Sequence, residues 1–369
     1  MSTQTITYDL DVAGAAVGRI DWKKQTDGLF NKTAMLAMMK KQYGAKMGED
    51  WSGGETEAVP ITVRTHSSST GMRTGTEGAN TTVQSTKEQL LFRIGRVIRP
   101  VMVNINEAQA APDQADFNQR FERRYVEARA SAEREYNQHV IAGGIGAYEL
   151  SGPNPYSSIN GIDRTYGFLE EDAVGSQTRT IGGFSKATYA ATAPGVQNAV
   201  ADVASSFSTA GIAQMRALRS YILQYGPNAD ESSLYMLMTR AAFDNYNRTL
   251  SGREMYINEK DRNGGFITQA FGKVQIAIET YMPISTTYGG TASNTNKMSG
   301  AILNPMSIYP KWAKPMNVGG TPVPGGRFER SGIVKLSNQY VWSMEIHIAG
   351  NLFISNFADH GLLLNGETW

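Results

Sequence analysis

The sequence predicts an α+β fold, a packed body with a projecting arm. Three observations carry that expectation. Two runs of alternating apolar and polar residues flank a polar stretch of 26 residues, Arg64 to Gln89. One amphipathic helix is far longer than the average helix. The second half of the chain mixes short helical patterns with strand-like runs, the pattern of an α/β region.

The first 28 residues are mixed in character, with small-residue patches around Gly14 and Gly18, and read as an extended arm. "NKTAMLAMMKKQYG" then reads as a short helix. Asn31 or Thr33 can cap it, and Gly44 can end it. Met35, Leu36, Met38 and Met39 form its apolar side, and Lys40 and Lys41 suit the negative end of its dipole.

Val59, Ile61 and Val63 alternate with polar residues and Pro60, which predicts a strand. Leu90 to Ile105 is a second strand-like run, with Gly95 a candidate bulge. Between them, 14 of the 26 residues from Arg64 to Gln89 are Ser, Thr or Gly, so the segment has almost nothing with which to build a core. With strands on both sides, it reads as a long two-stranded arm. An isolated hairpin is marginal in water, so this one is expected to rest on another subunit.

Asp113 to Ala142 is predicted as one helix, capped by Asp113 after Pro112 and stopped at Gly143-Gly144. At 1.5 Å per residue it would be ~45 Å long. Phe117, Phe121, Tyr125, Ala128, Ala132, Tyr136 and Val140 recur every three or four residues and make one stripe. Arg123–Glu127 and Arg129–Glu133 are spaced to pair on the solvated side. Gly143 to Pro155 reads as a boundary.

Beyond it, helices are expected at Thr188–Phe207 and Gly211–Gln224, the second with Ile212, Met215, Leu218, Ile222 and Leu223 on one face. A strand at Ser233–Met238 leads into a helix at Arg240–Leu250. Further strands are expected at Val274–Ile278 and Ala301–Leu303, then a turn-rich "TPVPGG" connection. Three strands close the chain: Ile333–Leu336, Val341–Ile348 and Asn351–Phe357. In the middle one, Trp342, Met344, Ile346 and Ile348 form an apolar face, and Val341, Ser343, Glu345 and His347 the other.

Composition narrows the function. With 41% hydrophobic and 19% charged residues, the chain can bury a core and is not intrinsically disordered. It has no cysteine, which excludes disulfides and thiolate metal sites. The N-terminus lacks the pattern of a secretory signal, and no apolar run approaches the ~20 residues that cross a bilayer. With 35 basic and 34 acidic residues, the chain lacks the basic excess of a dedicated nucleic-acid binder.

Catalytic constellations are missing from the sequence as well. His66, His139, His347 and His360 have no metal-ligand spacing, and each reads as structural or solvated. There is no Walker A lysine motif and no G-x-S-x-G elbow. "GGFSKAT" has glycines and a lysine without phosphate-loop spacing. Glu170-Glu171-Asp172 reads as a solvated turn rather than a cation site. Lys23, Lys24, Lys32, Lys40, Lys41 and Lys46 form a modest basic cluster. It can screen phosphate charge; a solvated surface or an acidic neighbour suits it equally.

The order of parts resembles the major capsid proteins of tailed bacteriophages, the Hong Kong ninety-seven type of capsid fold. That order is arm, short helix, polar hairpin, long helix, glycine break, α/β region and terminal strands. Local stretches agree. In "SINGIDRTYGFLEEDAVGSQTRTIGGFSKATYAATAPG", the "GID" phrase is followed by Thr180, Gly182, Gly183, Thr188 and Tyr189 in a pattern similar to the family's approach to its axial domain. "SSLYMLMTRAAFDNYNRTL" and "SGAILNPMSIYPKW" resemble the strand–helix inside that domain and the strand leading out of it.

The resemblance implies an N-terminal arm and short helix (1–54) and an extended β-hairpin, the E-loop (55–107). It implies a peripheral domain (108–152 and 306–350) with a spine helix at 113–142, and an axial domain (153–305) with 351–369 as a candidate addition. It implies a non-enzymatic structural subunit, without cofactor or metal, that assembles with many copies of itself. These would form hexamers and pentamers of an icosahedral virion head around double-stranded DNA, built in the host bacterial cytoplasm without a membrane. Arg64, Arg73, Glu77 and Lys87 are then the candidate inter-subunit contacts of the E-loop. Phe117, Phe121, Tyr125 and Tyr136 are the spine packing residues. Lys23, Lys24 and Lys32 are candidate DNA-facing residues, making non-specific contacts. Because the chain starts close to the arm, a separate scaffolding protein, or none, is expected, with a portal and a decoration protein as further candidate partners. Two other readings stay open: the shell of a cellular encapsulin-type nanocompartment, and a soluble binding protein that does not assemble.

Overall fold

The computed structural model describes residues 34–44, 48–53, 56–63, 87–104, 106, 113–142, 169–170, 173–189, 196–203, 209–249, 268–279, 298–318, 321–335 and 341–366. The expected N-terminal arm, the hairpin tip and the Gly143–Pro155 break lie outside these residues.

Two six-stranded sheets organise the chain. The first is built on one strand of 14 residues, Val341–Ile354. Along one edge, residues 341–350 pair antiparallel with Gly95–Asn104. The other edge is taken in turn by Val334–Lys335, Arg327–Arg330 and Ile308–Trp312. Glu49–Asp50 adds a short parallel strand beside Ile308–Trp312. The sequence reading breaks this strand near Gly350; the structure runs through it. A Cβ on Gly350 would lie 2.4 Å from the Lys311 carbonyl oxygen. The glycine therefore serves close approach between strands and does not mark an end.

The long helix, Gln114–Ala142, lies on one face of this sheet. Asp113 caps it, its Oδ1 accepting from the Asp116 amide at 2.8 Å. Phe117, Phe121 and Tyr125 pack on Val101, Val103, Met344 and Ile346. Farther along, Tyr136 lies tilted against Trp312, ring centroids 5.4 Å apart, and meets Phe328 edge-on. Arg129, expected on the solvated side, is buried, with its guanidinium 3.5 Å from the Tyr125 hydroxyl.

The second sheet runs in the order 199–202, 361–364, 298–303, 235–238, 274–278, 268–271. The helices Thr209–Tyr225 and Arg240–Thr249 bury Met215, Leu218, Ile222, Phe243 and Tyr246 against it. Leu223, read as part of that face, is exposed.

The expected helix Thr188–Phe207 is absent from the described residues of that span, where Ala199–Asp202 forms a strand. That strand pairs in parallel with Gly361–Leu364, and Ala199, Ala201 and Val203 face the core. Tertiary pairing overrides the helix propensity of an alanine-rich segment. Part of the "TPVPGG" connection is likewise a strand: Thr321–Val323 pairs with Met316–Val318.

The sheets share one apolar core. Trp312, Ile348 and Phe353 from the first join Leu237, Ala301 and Leu362 from the second in a single buried cluster. The short helix Ala34–Tyr43 adds Met35, Met38 and Met39 to it, and Gly44 follows with φ +65°. The buried Glu279 accepts the Met35 amide at 2.9 Å, fixing the helix start to the second sheet.

Candidate assembly site

The hairpin pairs Thr56–Thr62 with Lys87–Arg93, antiparallel, with Thr62 opposite Lys87. Its root is bound firmly to the body. Ile61, Val63, Leu90 and Phe92 are buried, and Phe92 stacks on Phe353 with ring centroids 4.8 Å apart. Glu57 pairs with Lys311, and the Asn351 side-chain amide donates to the Arg93 carbonyl at 2.6 Å.

A tight turn between Thr180–Ile181 and Phe184–Ser185 supports the other side. The Leu91 amide donates to the Gly182 carbonyl at 2.8 Å. Gly182 has φ +55°, and a Cβ there would lie 2.9 Å from the Leu91 carbonyl oxygen. Only glycine fits this turn without strain. The Tyr189 hydroxyl donates to Glu88 at 2.8 Å, and its ring stacks on Phe184.

The sequence reading places the start of the unsupported segment at Arg64 and its end at Gln89. The structure corrects that end. Lys87, Glu88 and Gln89 belong to the hairpin root, and Glu88 is tied to the body. Alternation explains the correction, since Leu90 and Phe92 enter the core and carry their neighbours into the ladder. Lys87 lies exposed at the first position of its strand. Arg64, Arg73 and Glu77 lie outside the described residues, as do Lys23, Lys24 and Lys32. Where the root leaves the sheet, Glu49, Val59, Pro60, Tyr309, Lys311 and Phe353 line an open cleft of about 250 Å³.

Phe117, Phe121, Tyr125 and Tyr136 are brought together under the long helix, all four buried. The opposite face of the same sheet carries Ile98, Met102 and Val334, each exposed. His347 lies on that face but is buried, between the Arg96 guanidinium (3.4 Å) and the Glu345 carboxylate (3.0 Å). Burial lowers its pKa.

Two buried polar clusters escape the sequence reading. In the first, Glu170, read as part of a solvated acidic turn, is buried, and its carboxylate accepts the Thr178 and Arg179 amides at 3.0 and 2.9 Å. Lys186, from "GGFSKAT", is fully buried beside it, with Nζ 3.4 Å from the carboxylate. An unpaired buried charge is costly, which explains the pairing. The only sequence signal was a lysine and an acid in one turn-rich stretch.

In the second cluster, Asp359 accepts from the Ser307 hydroxyl and from Asn228, and burial raises its pKa. His360 accepts the Asn304 amide at Nδ1, 3.2 Å away, and burial pushes its pKa down to about 3. Ser307 bonds Asp359 directly, so serine, histidine and aspartate do not form a proton relay. Among the described residues, no group of three or more His, Asp or Glu is placed to hold a metal ion.

No protein-family profile and no curated protein matches the chain. Solved structures do. A chain of the cyanophage A-1(L) capsid asymmetric unit matches with a TM-score of 0.62, covering 94% of each chain at 13% identity. The chain has the Hong Kong ninety-seven type capsid fold. Two further similar structures are the capsid of a native GTA particle (TM-score 0.49, 10% identity, 89% of each chain) and the SrpI encapsulin of Synechococcus elongatus (0.43, 9%, 86% of this chain and 85% of that one). At those scores neither decides anything further. A capsid fold kept at 13% identity is kept by burial pattern and strand order more than by residue type.

Proposed function

We propose that the chain is a capsid shell subunit that acts by assembling and performs no catalysis. It tiles in many copies, as hexamers and pentamers, into an icosahedral phage head that encloses double-stranded DNA. The observation that supports this most is the capsid fold itself, spanning 94% of the chain. The hairpin is the second support. Its root is welded to the body, while the polar run beyond Thr62 has little apolar surface of its own.

In this reading the first sheet and the long helix, as spine, make the peripheral domain, and the second sheet makes the axial domain. Arg64, Arg73, Glu77 and Lys87 carry the hairpin's contacts with a neighbouring copy. Lys23, Lys24 and Lys32 face the packaged DNA. A separate scaffolding protein and a portal are the remaining partners.

Size-exclusion chromatography and negative-stain microscopy of the expressed chain, alone and with its scaffolding partner, test the proposal. Closed shells are the expected result; a monomer under every condition overturns the proposal. Deleting Thr65 to Gln84 should leave a folded, soluble protein that makes no shells. Normal particles from that deletion would remove the hairpin from the mechanism.

A further inference from the structure

Among the described residues, Lys186 stands out by its burial. Lysine is almost never fully buried, yet this one is 0% exposed and held among carbonyl and carboxylate oxygens. Its Nζ lies 3.2 Å from Asn198 Oδ1, 3.4 Å from Gln177 Oε1 and 3.4 Å from Glu170 Oε1. The Phe357 ring closes the site, its centroid 4.3 Å from Nζ. Asn198 is also fully buried. Its Oδ1 accepts the Glu170 amide at 2.9 Å, and its Nδ2 donates to the Glu170 carbonyl at 2.8 Å.

An amine, a carboxamide and a carboxylate thus meet where water is excluded. Cγ of Asn198 lies one C=O bond, about 1.2 Å, beyond the oxygen that Nζ already touches. Holding an amine against the carboxamide that it would attack raises its effective concentration greatly.

We propose that Lys186 and Asn198 join in an intramolecular isopeptide bond, with Glu170 carrying the protons. Glu170 takes one proton from the Lys186 ammonium. The freed amine attacks Cγ, forming the Nζ–Cγ bond. The Glu170 amide, already on Oδ1, stabilises the oxyanion, as a backbone donor does in acyl transfer. Glu170 relays a proton from Nζ to Nδ2, the Cγ–Nδ2 bond breaks, and ammonia leaves. The proton that remains on Glu170 departs with it as ammonium. The balance is one amide and one amine giving one new amide and one ammonia, with no oxidant. A chain without cysteine thereby gains a covalent staple independent of redox state, one that closes the chain between the hairpin-supporting turn and the strand Ala199–Asp202. The inference does not depend on shell assembly.

The test is mass spectrometry of the purified full-length chain. The expected intact mass is one ammonia below that of the sequence, after any N-terminal processing. Trypsin should fail to cut after Lys186 and should release Thr180–Arg216 as one internally looped peptide, lighter than its sequence by one ammonia. A mass equal to the sequence overturns the proposal. So does loss of ammonia with normal cleavage after Lys186, the signature of a succinimide at Asn198. Glu170→Gln, checked for folding by circular dichroism, should keep its ammonia. If it folds and still forms the looped peptide, Glu170 is not the proton carrier.

Discussion

Phe121 offers the sharpest test of how the long helix is held. It is 0% exposed and meets Phe117 edge-on with ring centroids 5.2 Å apart. Below both lie Val101, Val103, Met344 and Ile346. Phe121→Ala removes the ring and leaves a cavity that a helix laid on a sheet cannot close without shifting. Such truncations cost about 3–5 kcal/mol, a large share of a total stability of about 5–15 kcal/mol. Val126 is the control. It belongs to the same helix but is 39% exposed, so Val126→Ala should stay within about 0.5 kcal/mol.

Urea denaturation followed by tryptophan fluorescence is a suitable assay, because Trp342 packs edge-on against Phe117 with centroids 5.9 Å apart. The Phe121 variant should lose about 1 M or more in its midpoint. If both variants unfold at the same urea concentration, the helix is not seated by this stripe.

Three further changes follow from the same packing. Gly350→Ala places a methyl group against the Lys311 carbonyl and the Trp312 ring; overpacking of this kind costs about 1–3 kcal/mol, readable as a lower midpoint. Lys311→Met strands the buried Glu57 and should cost about 3–5 kcal/mol, whereas Lys311→Met with Glu57→Gln should recover most of it, a difference that a double-mutant cycle measures. His360 is held neutral, with a folded pKa of about 3 against 6.5 for the free side chain. Its contribution is complete above the unfolded value and erodes as pH falls, by up to about 1.4 kcal/mol per unit between the two values. His347, also lowered, acts in the same sense, and Asp359, raised, in the opposite one. His360→Gln should flatten the stability profile between pH 6 and pH 4; an unchanged slope would show that His360 does not set it.

Periodic features were legible in the sequence, and pairings across distance were not. The long helix announced itself through a stripe from Phe117 to Val140, because burial on one face leaves a 3.6-residue rhythm. Val274–Ile278 and the hairpin strands were legible through alternation. Ala199–Asp202 was not, since small residues suit a helix until a parallel partner is supplied, and that partner, Gly361–Leu364, lies far along the chain. Gly350 looked like an ending because a glycine's reason is visible only beside the strand that approaches it. The ion pair of Lys186 and Glu170 was hidden for a related reason: charge alone reads as solvent exposure, and only the fold places both groups inside.

The junction between the two sheets determines how force passes through the subunit. The chain crosses between sheets twice at nearly the same place. Met298–Leu303 of the second sheet leads through the turn Pro305–Ser307 to Ile308–Trp312 of the first. Val341–Ile354 of the first leads through Phe357–Asp359 to Gly361–Leu364 of the second. The two crossings are bonded to each other: the Ser355 amide donates to the Ser307 carbonyl at 3.0 Å, Ser307 donates to Asp359, and the Asn304 amide donates to His360. The Asn304 side chain then reaches the Asn228 carbonyl at 2.8 Å, tying in the loop after the helix Thr209–Tyr225. Buried and densely bonded, such a network resists rotation, because turning one crossing leaves polar groups unpaired. The sheets should therefore move as one tile. Any curvature that a shell demands then falls on elements attached at one end, and among the described residues the hairpin is the clearest of these, anchored at Phe92 and Gly182 and continuing past Thr62.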